Sequence, residues 1–136
     1  MGTWDIGFFD NDMACDWENG IKENKNLNYI KDTFIPILEN KEDTLDIDLA
    51  NKALAAAETL AKLLGKESEH STYTKHADNW SETFSGSIDN ELIEIAIKSV
   101  EKIISSDSEL LQYWLLRGEK NEWLNRIEDL KYRLKS

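Results

Sequence analysis

The chain has 136 residues, of which 40% are hydrophobic and 32% are charged, a balance that indicates one folded domain spanning residues 1–136 and excludes a disordered chain. Its net charge of −11 argues against nucleic acid and against an anionic membrane as ligands, because both require clustered lysines and arginines. The acidic excess is concentrated at the start. Residues 1–50 have a net charge of −8, residues 51–100 one of −3, and residues 101–136 are neutral.

The remaining bulk features predict a cytoplasmic protein without cofactors. No apolar run approaches the roughly 18–20 residues of a membrane span, and the first residues show no signal-peptide pattern. Cys15 is the only cysteine, so the chain has no intramolecular disulfide and no thiolate metal cage.

Helical periodicity recurs along the chain, and strand patterns are nearly absent. The fold class predicted is all-α, a single compact bundle of about five to seven helices with short connections. The first helix is expected to begin at an N-cap formed by Asn11 or Asp12 and to be ended or interrupted by Gly20. A second helix is predicted over residues 26–40, and Pro36 within it should kink or split it.

The third helix is predicted over residues 47–64, with Asp46 or Asp48 as its cap and Gly65 as its stop. Its alanine-rich face should allow a neighbouring helix to approach closely. Residues 66–78, which are polar and contain both histidines, are expected to form a loop, followed by a short helical turn that carries Trp80 and Phe84.

The last third of the chain is predicted to form three helices. The first of them covers residues 89–105, and a capping box of Ser106 and Glu109 should start the second, which Gly118 closes. The final helix has an amphipathic stripe at offsets of four, seven and eleven, formed by Trp123, Ile127, Leu130 and Leu134.

The opening segment is dense in aromatic residues and aspartates. Trp4, Phe9 and Trp17 are expected in the core, although tryptophan is also common at the centre of protein interfaces. Phe8 and Phe9 are neighbours in an extended turn, so one of them should be exposed and available to a partner.

The aspartates of this segment have three possible roles: partner contact, helix capping and metal binding. The predicted partner contacts are Asp5, Phe8, Asp10, Asp12 and Asp16. A calcium loop starting at Asp10 would need glycine and glutamate where Cys15 and Ile21 stand, so capping is favoured over metal binding.

Other reactive side chains indicate no catalytic site. His70 and His76 lack the four-residue spacing of a zinc helix, and a solvated loop is the simpler reading. Cys15 stands in an acidic segment, which should raise the pKa of its thiol and make it unreactive. Glu58, in the alanine-rich part of the third helix, should either pair with Arg126 or Lys62 or face water.

The opening residues resemble a bacterial family designated domain of unknown function 4259. The shared pattern is Met-Gly-x-Trp-x-x-Gly-x-Phe-x-Asn-Asp-x-Ala-x-Asp-Trp, here carried by Met1, Gly2, Trp4, Gly7, Phe9, Asn11, Asp12, Ala14, Asp16 and Trp17. The alanine-rich helix and the segment from Ser108 to the final helix also resemble the family, so the likeness covers most of the chain. Asp5 and Phe8 depart from the family pattern, which has glycine and a small residue or proline there.

The resemblance implies no catalytic activity. It implies a structural role for the motif residues Gly2, Trp4, Gly7, Phe9, Asn11 and Trp17, and a hint of immunity or inhibitor proteins near toxin or phage-defence genes. Together with the charge, this leads us to expect a non-enzymatic acidic protein that sequesters or inhibits a basic protein partner. The alternatives are a small metal-dependent enzyme or ligand-binding protein that uses the N-terminal aspartates, and a structural subunit with an exposed apolar patch.

Overall fold

The described part of the chain, residues 7–66, 70–105 and 108–135 of a computed structural model, consists of helices and their connections. Its α-helices are α1 (Asp12–Gly20), α2 (Leu27–Leu38), α3 (Ile47–Leu63), α4 (Lys75–Thr83), α5 (Asn90–Ile103), α6 (Glu109–Arg117) and α7 (Lys120–Lys135). Two short 3-10 helices, Ile21–Glu23 and Thr72–Thr74, adjoin α1 and α4. These residues form no strand beyond one isolated bridge between Leu45 and Ser108. The predicted all-α bundle is confirmed.

Helix α3 is the centre of the bundle. Every side chain from Ala53 to Leu63 is buried, and the helix contacts α1, α2, α4, α5, α6 and α7. Five of these eleven residues are alanines, whose small side chains allow the surrounding helices to approach the α3 backbone. The larger apolar side chains of the outer helices complete the core around it.

Most helix boundaries follow local capping chemistry. The Asn11 carboxamide oxygen accepts from the Ala14 amide at 2.7 Å, and Asp46 and Asp89 cap α3 and α5 in the same way. Gly65 and Gly118 take positive φ angles of 82° and 81° just beyond the ends of α3 and α6. The predicted caps Asn11 and Asp46 are confirmed, as are both glycine stops.

Helix α6 begins differently from the prediction. Its N-cap is Ser108, whose hydroxyl accepts from the Leu111 amide at 3.3 Å, and Ser106 lies outside the described residues. Glu109 directs its carboxylate to the Ile47 amide, at 2.9 Å, and so supports the start of α3. A sequence pattern indicates only local caps, which is why this long-range contact was not expected.

The predicted split at Pro36 is wrong, because α2 continues without a break to Leu38. Pro36 lies in the last turn of the helix and is exposed, as is Asp32. The carbonyl oxygen that loses its helical donor to the proline is that of Asp32, and water can hydrogen-bond to it there.

The predicted loop over residues 66–78 is also wrong in its second half, which is helical from Thr72 onward. Ser71 starts this segment with a capping box: its hydroxyl accepts from the Tyr73 amide, and Thr74 accepts from the Ser71 amide. From α1, the buried Glu18 carboxylate accepts from the amides of His76 and Ala77 and caps α4 across 58 residues of sequence.

Candidate protein-binding surface

The predicted contact residues are partly exposed and partly buried. Asp12 and Asp16 are exposed and lie one turn apart on α1, as the four-residue spacing predicts. Asp10 is half-buried just before the helix, where its amide donates to the Gly7 carbonyl oxygen at 3.1 Å. Asp5 lies outside the described residues, as do the motif residues Gly2 and Trp4.

The expectation that one of the two phenylalanines is exposed is wrong. Phe8 is 3% exposed and Phe9 is 0% exposed. The Arg126 guanidinium lies 5.7 Å from the centre of the Phe8 ring and covers it. Phe8 therefore offers no exposed aromatic surface to a partner, because α7 supplies a basic side chain above it.

Trp17 is buried, as expected, and both its indole N–H and its carbonyl oxygen are hydrogen-bonded within the protein. Its ring stacks on Tyr29 with centroids 4.9 Å apart and planes at 20°. Its indole Nε1–H donates to the Thr33 hydroxyl oxygen at 2.6 Å, and the Tyr29 hydroxyl donates to the Trp17 carbonyl oxygen at 2.6 Å. Burial, followed by the charge of Glu18, raises the pKa of Tyr29, so its hydroxyl stays protonated and can donate this hydrogen bond.

A cleft of about 420 Å³ opens beside this aromatic pair, between α1, α2 and α3. Its lining combines exposed carboxylates with aromatic and aliphatic groups: Met13, Asp16, Trp17, Tyr29, Asp32, Thr33, Pro36, Leu49 and Lys52. The sequence reasoning found Asp16 and Trp17 but missed Asp32 and the rest of the α2 wall. A signal was present, because residues 29, 32, 33 and 36 share one helical face beside the buried stripe.

Nine acidic side chains of residues 7–50 are exposed and form no ion pair with another described residue. The nine exposed carboxylates are those of Asp12, Asp16, Glu23, Asp32, Glu39, Glu42, Asp43, Asp46 and Asp48. By contrast, the acidic members of the observed ion pairs all come from residues 58–129, for example Glu91, which pairs with Lys31 at 3.8 Å. The charge of these nine carboxylates is therefore open to solvent or a partner.

Two ion pairs lie inside the bundle. Glu58, which is fully buried, accepts two hydrogen bonds of 2.8 Å from Arg133, which also donates to Asp129 and to the Lys66 carbonyl oxygen. Burial alone would lower the pKa of Arg133, but the Glu58 carboxylate raises it overall. The predicted partners of Glu58, Arg126 and Lys62, are wrong, because the turn of α7 that faces Glu58 carries Arg133.

The second buried pair joins α3 to α4. The Lys62 ammonium lies 3.0 Å from Asp78, which also accepts from the Thr74 hydroxyl at 2.7 Å and lies 3.1 Å from His70 Nδ1. Burial alone would raise the pKa of Asp78, but the hydrogen bonds from Thr74, Lys62 and His70 lower it overall. His70 thus helps to hold α4, whereas His76 contributes only its amide to the α4 cap.

The described residues give little support to metal or thiol chemistry. They contain no group of three or more histidine, cysteine, aspartate or glutamate side chains that could hold a metal ion. Burial, followed by the charges of Asp12 and Glu18, raises the pKa of the Cys15 thiol, in the predicted direction.

No helix within the described ranges is long and apolar enough to cross a membrane.

Two of the four exposed large hydrophobic side chains of the described residues lie at the end of α6, and the others are Tyr73 and Tyr132. Leu116 is 86% exposed, and its neighbour Leu115 is 48% exposed. Single exposed leucines are common on monomeric proteins, so this pair does not by itself identify an interface.

The family expectation was tested by comparison with known proteins. The sequence model of the family described as "Domain of unknown function (DUF4259)" matches residues 2–126. The chain therefore belongs to this family, as the opening motif predicted. Comparisons with curated proteins and with solved structures gave no match.

Proposed function

We propose that this member of the DUF4259 family is a non-enzymatic binding protein whose acidic N-terminal third holds and neutralises a basic protein. The observation that carries the proposal is the set of nine exposed carboxylates in residues 7–50 that pair with no cation in the described chain. Unpaired carboxylates on one region attract a partner of opposite charge and steer its approach.

The distribution of charge favours a localised surface over general solubility. Exposed acidic side chains of α1 and α2 occur beside a cleft with apolar walls, and a concave apolar site with a few polar groups is typical of binding sites. In residues 101–136, acidic and basic residues balance, and several of them pair with one another. Binding by immunity or inhibitor proteins fits this arrangement, since it requires a complementary surface and no catalytic group.

The proposal is tested by capture of the tagged protein from its native host at low and high salt, with mass spectrometry of the bound proteins. It predicts a stoichiometric basic protein that is retained at low salt and lost at high salt, because salt screens exposed charges. Absence of any stoichiometric partner at low salt would contradict the proposal.

A further inference from the structure

We propose that the cleft between α1, α2 and α3 receives an arginine side chain of the basic partner. The inference rests on the proposed function and specifies the chemical group that its site recognises. Its starting point is the coincidence of three features in one place: a concave surface, an aromatic wall and two exposed carboxylates on opposite helices.

The hydrogen-bonding groups of the cleft favour a ligand that donates. The Trp17 indole N–H and the Tyr29 hydroxyl already donate within the protein, and the Thr33 hydroxyl accepts from Trp17 and donates to the Tyr29 carbonyl oxygen. Asp16 and Asp32 make no hydrogen bond or ion pair with the described residues, and an ionised carboxylate only accepts. Apart from the Lys52 ammonium, the cleft thus presents acceptors to its ligand.

The balance of charge in the cleft selects a cation. The cleft is lined by two anionic side chains, Asp16 on α1 and Asp32 on α2, and by one cationic side chain, Lys52 on α3. The exposed Asp12, one turn before Asp16, adds negative charge close by. This excess of negative charge repels an anionic ligand and attracts a cationic one at short range.

Between the two cationic side chains, the cleft suits arginine better than lysine. A guanidinium is planar, stacks on aromatic rings, and presents five donors in a fixed fork that two carboxylates can share. The half-buried Tyr29 ring, backed by the buried Trp17 ring, forms the aromatic wall, and the methylene stem of an arginine fits against Met13, Pro36 and Leu49. A lysine ammonium is more strongly hydrated and, because it is not planar, cannot stack on an aromatic ring as a guanidinium does.

The test is a titration of the ¹⁵N-labelled protein with N-acetylarginine amide, followed at the Trp17 indole N–H and at the amides of Asp16 and Asp32. Assignment of the indole signal comes from a Trp17→Phe variant. N-acetylcitrulline amide, which has nearly the same shape without the charge, is the ligand control. We expect a saturable shift of these three signals with arginine and no saturable shift with citrulline. Equal responses to the two ligands, or no response of the three signals to arginine, would overturn the inference.

Variants separate the cleft from the general field of the protein. Asp16→Asn with Asp32→Asn should raise the Kd for N-acetylarginine amide about tenfold or more, since hydrogen bonds to charged groups are lost. Glu39→Gln with Asp43→Asn removes the same charge from exposed sites outside the cleft and should change the Kd less than about threefold. Lys52→Gln should lower the Kd by about twofold. Equal effects of the two double variants would overturn the inference.

The outcome also distinguishes this inference from the proposed function. If a basic partner is captured in a salt-sensitive manner but the cleft signals do not respond to arginine, the cleft assignment is wrong and the proposed function stands. If arginine binds in the cleft and no basic protein is captured, the proposed function is wrong, and of the inference only the recognition of a guanidinium by the cleft stands.

Discussion

The Tyr29 hydroxyl donates to the carbonyl oxygen of Trp17 at 2.6 Å while the two rings stack at 4.9 Å. This double contact fixes α2 against α1 and forms the aromatic wall of the cleft. It requires Gly20 at the end of α1, because a Cβ atom there would lie 2.2 Å from the Tyr29 hydroxyl oxygen. A glycine that resembles a helix stop in the sequence is thus also a point of close packing.

Gly20→Ala should destabilise the protein by about 1–3 kcal/mol, the usual range for overpacking. Helix propensity alone predicts the opposite sign, a gain of about 0.5–1 kcal/mol, because Gly20 has an ordinary helical φ of −65°. The free energy of unfolding from urea denaturation decides between the two.

The matched control for this substitution is Tyr29→Phe, alone and combined with Gly20→Ala. Removal of the hydroxyl removes the shortest contact, so the alanine should cost less in the phenylalanine background than in the wild type. A Gly20→Ala variant as stable as the wild type would contradict the packing account.

Glu58→Gln should destabilise the protein by about 3 kcal/mol, because it leaves the Arg133 guanidinium in a largely buried site without its main partner. Replacement of both partners, Glu58→Leu with Arg133→Met, should cost less than Glu58→Gln alone, since no uncompensated charge remains. Thermal and urea unfolding of the three proteins provide the measurement. A double variant less stable than Glu58→Gln would contradict this, because it would show that the intact ion pair contributes more to stability than an unpaired Arg133 costs.

Acid should weaken the contact between α3 and α4 through Asp78. The fold lowers the pKa of this carboxyl, so its contribution to stability is present above the unfolded carboxyl pKa of about 3.9 and is lost as the pH falls from there through the folded pKa. Asp78→Asn should therefore be less stable than the wild type at pH 5, and the difference should shrink toward pH 3. Urea unfolding at both pH values tests this, and a constant difference would contradict it.

The association rate constant for the basic partner should fall by about tenfold or more as the salt concentration rises from 50 to 500 mM, because steering by exposed carboxylates is screened. The triple substitution Asp12→Asn, Asp16→Asn and Asp32→Asn should flatten this dependence. Stopped-flow mixing or surface plasmon resonance measures it. A rate constant independent of salt would remove the electrostatic part of the account.

The sequence was sufficient to predict features that depend on neighbouring residues. The capping oxygens of Asn11 and Asp46, the stops at Gly65 and Gly118 and the apolar stripe of α7 all arise within one or two turns. The fold class follows from these periodicities. Their locality explains why a bundle of about five to seven helices could be anticipated without any knowledge of how they pack.

Features that join distant segments could not be predicted in this way. Glu18 caps α4 from α1, and Glu58 pairs with Arg133 across 75 residues, so neither contact leaves a pattern in the local sequence. Phe8 was expected to be exposed because nothing near it in the sequence shows that Arg126 covers its ring. The cleft was missed for the same reason: Asp32 and Tyr29 line it together with side chains of α1 and α3, and no local pattern shows how three helices meet.

The central claim is that the acidic N-terminal third, rather than the overall negative charge, binds a basic protein. Its most direct test is parallel capture from the native host with the wild type and two triple variants. One is Asp12→Asn, Asp16→Asn and Asp32→Asn; the other is Glu82→Gln, Glu94→Gln and Glu122→Gln, which neutralises three exposed acids elsewhere that pair with no described residue. The account predicts that the same basic protein is captured by the wild type and the second variant and is lost from the first. Equal capture by both variants, or no partner with any of the three proteins, would contradict it.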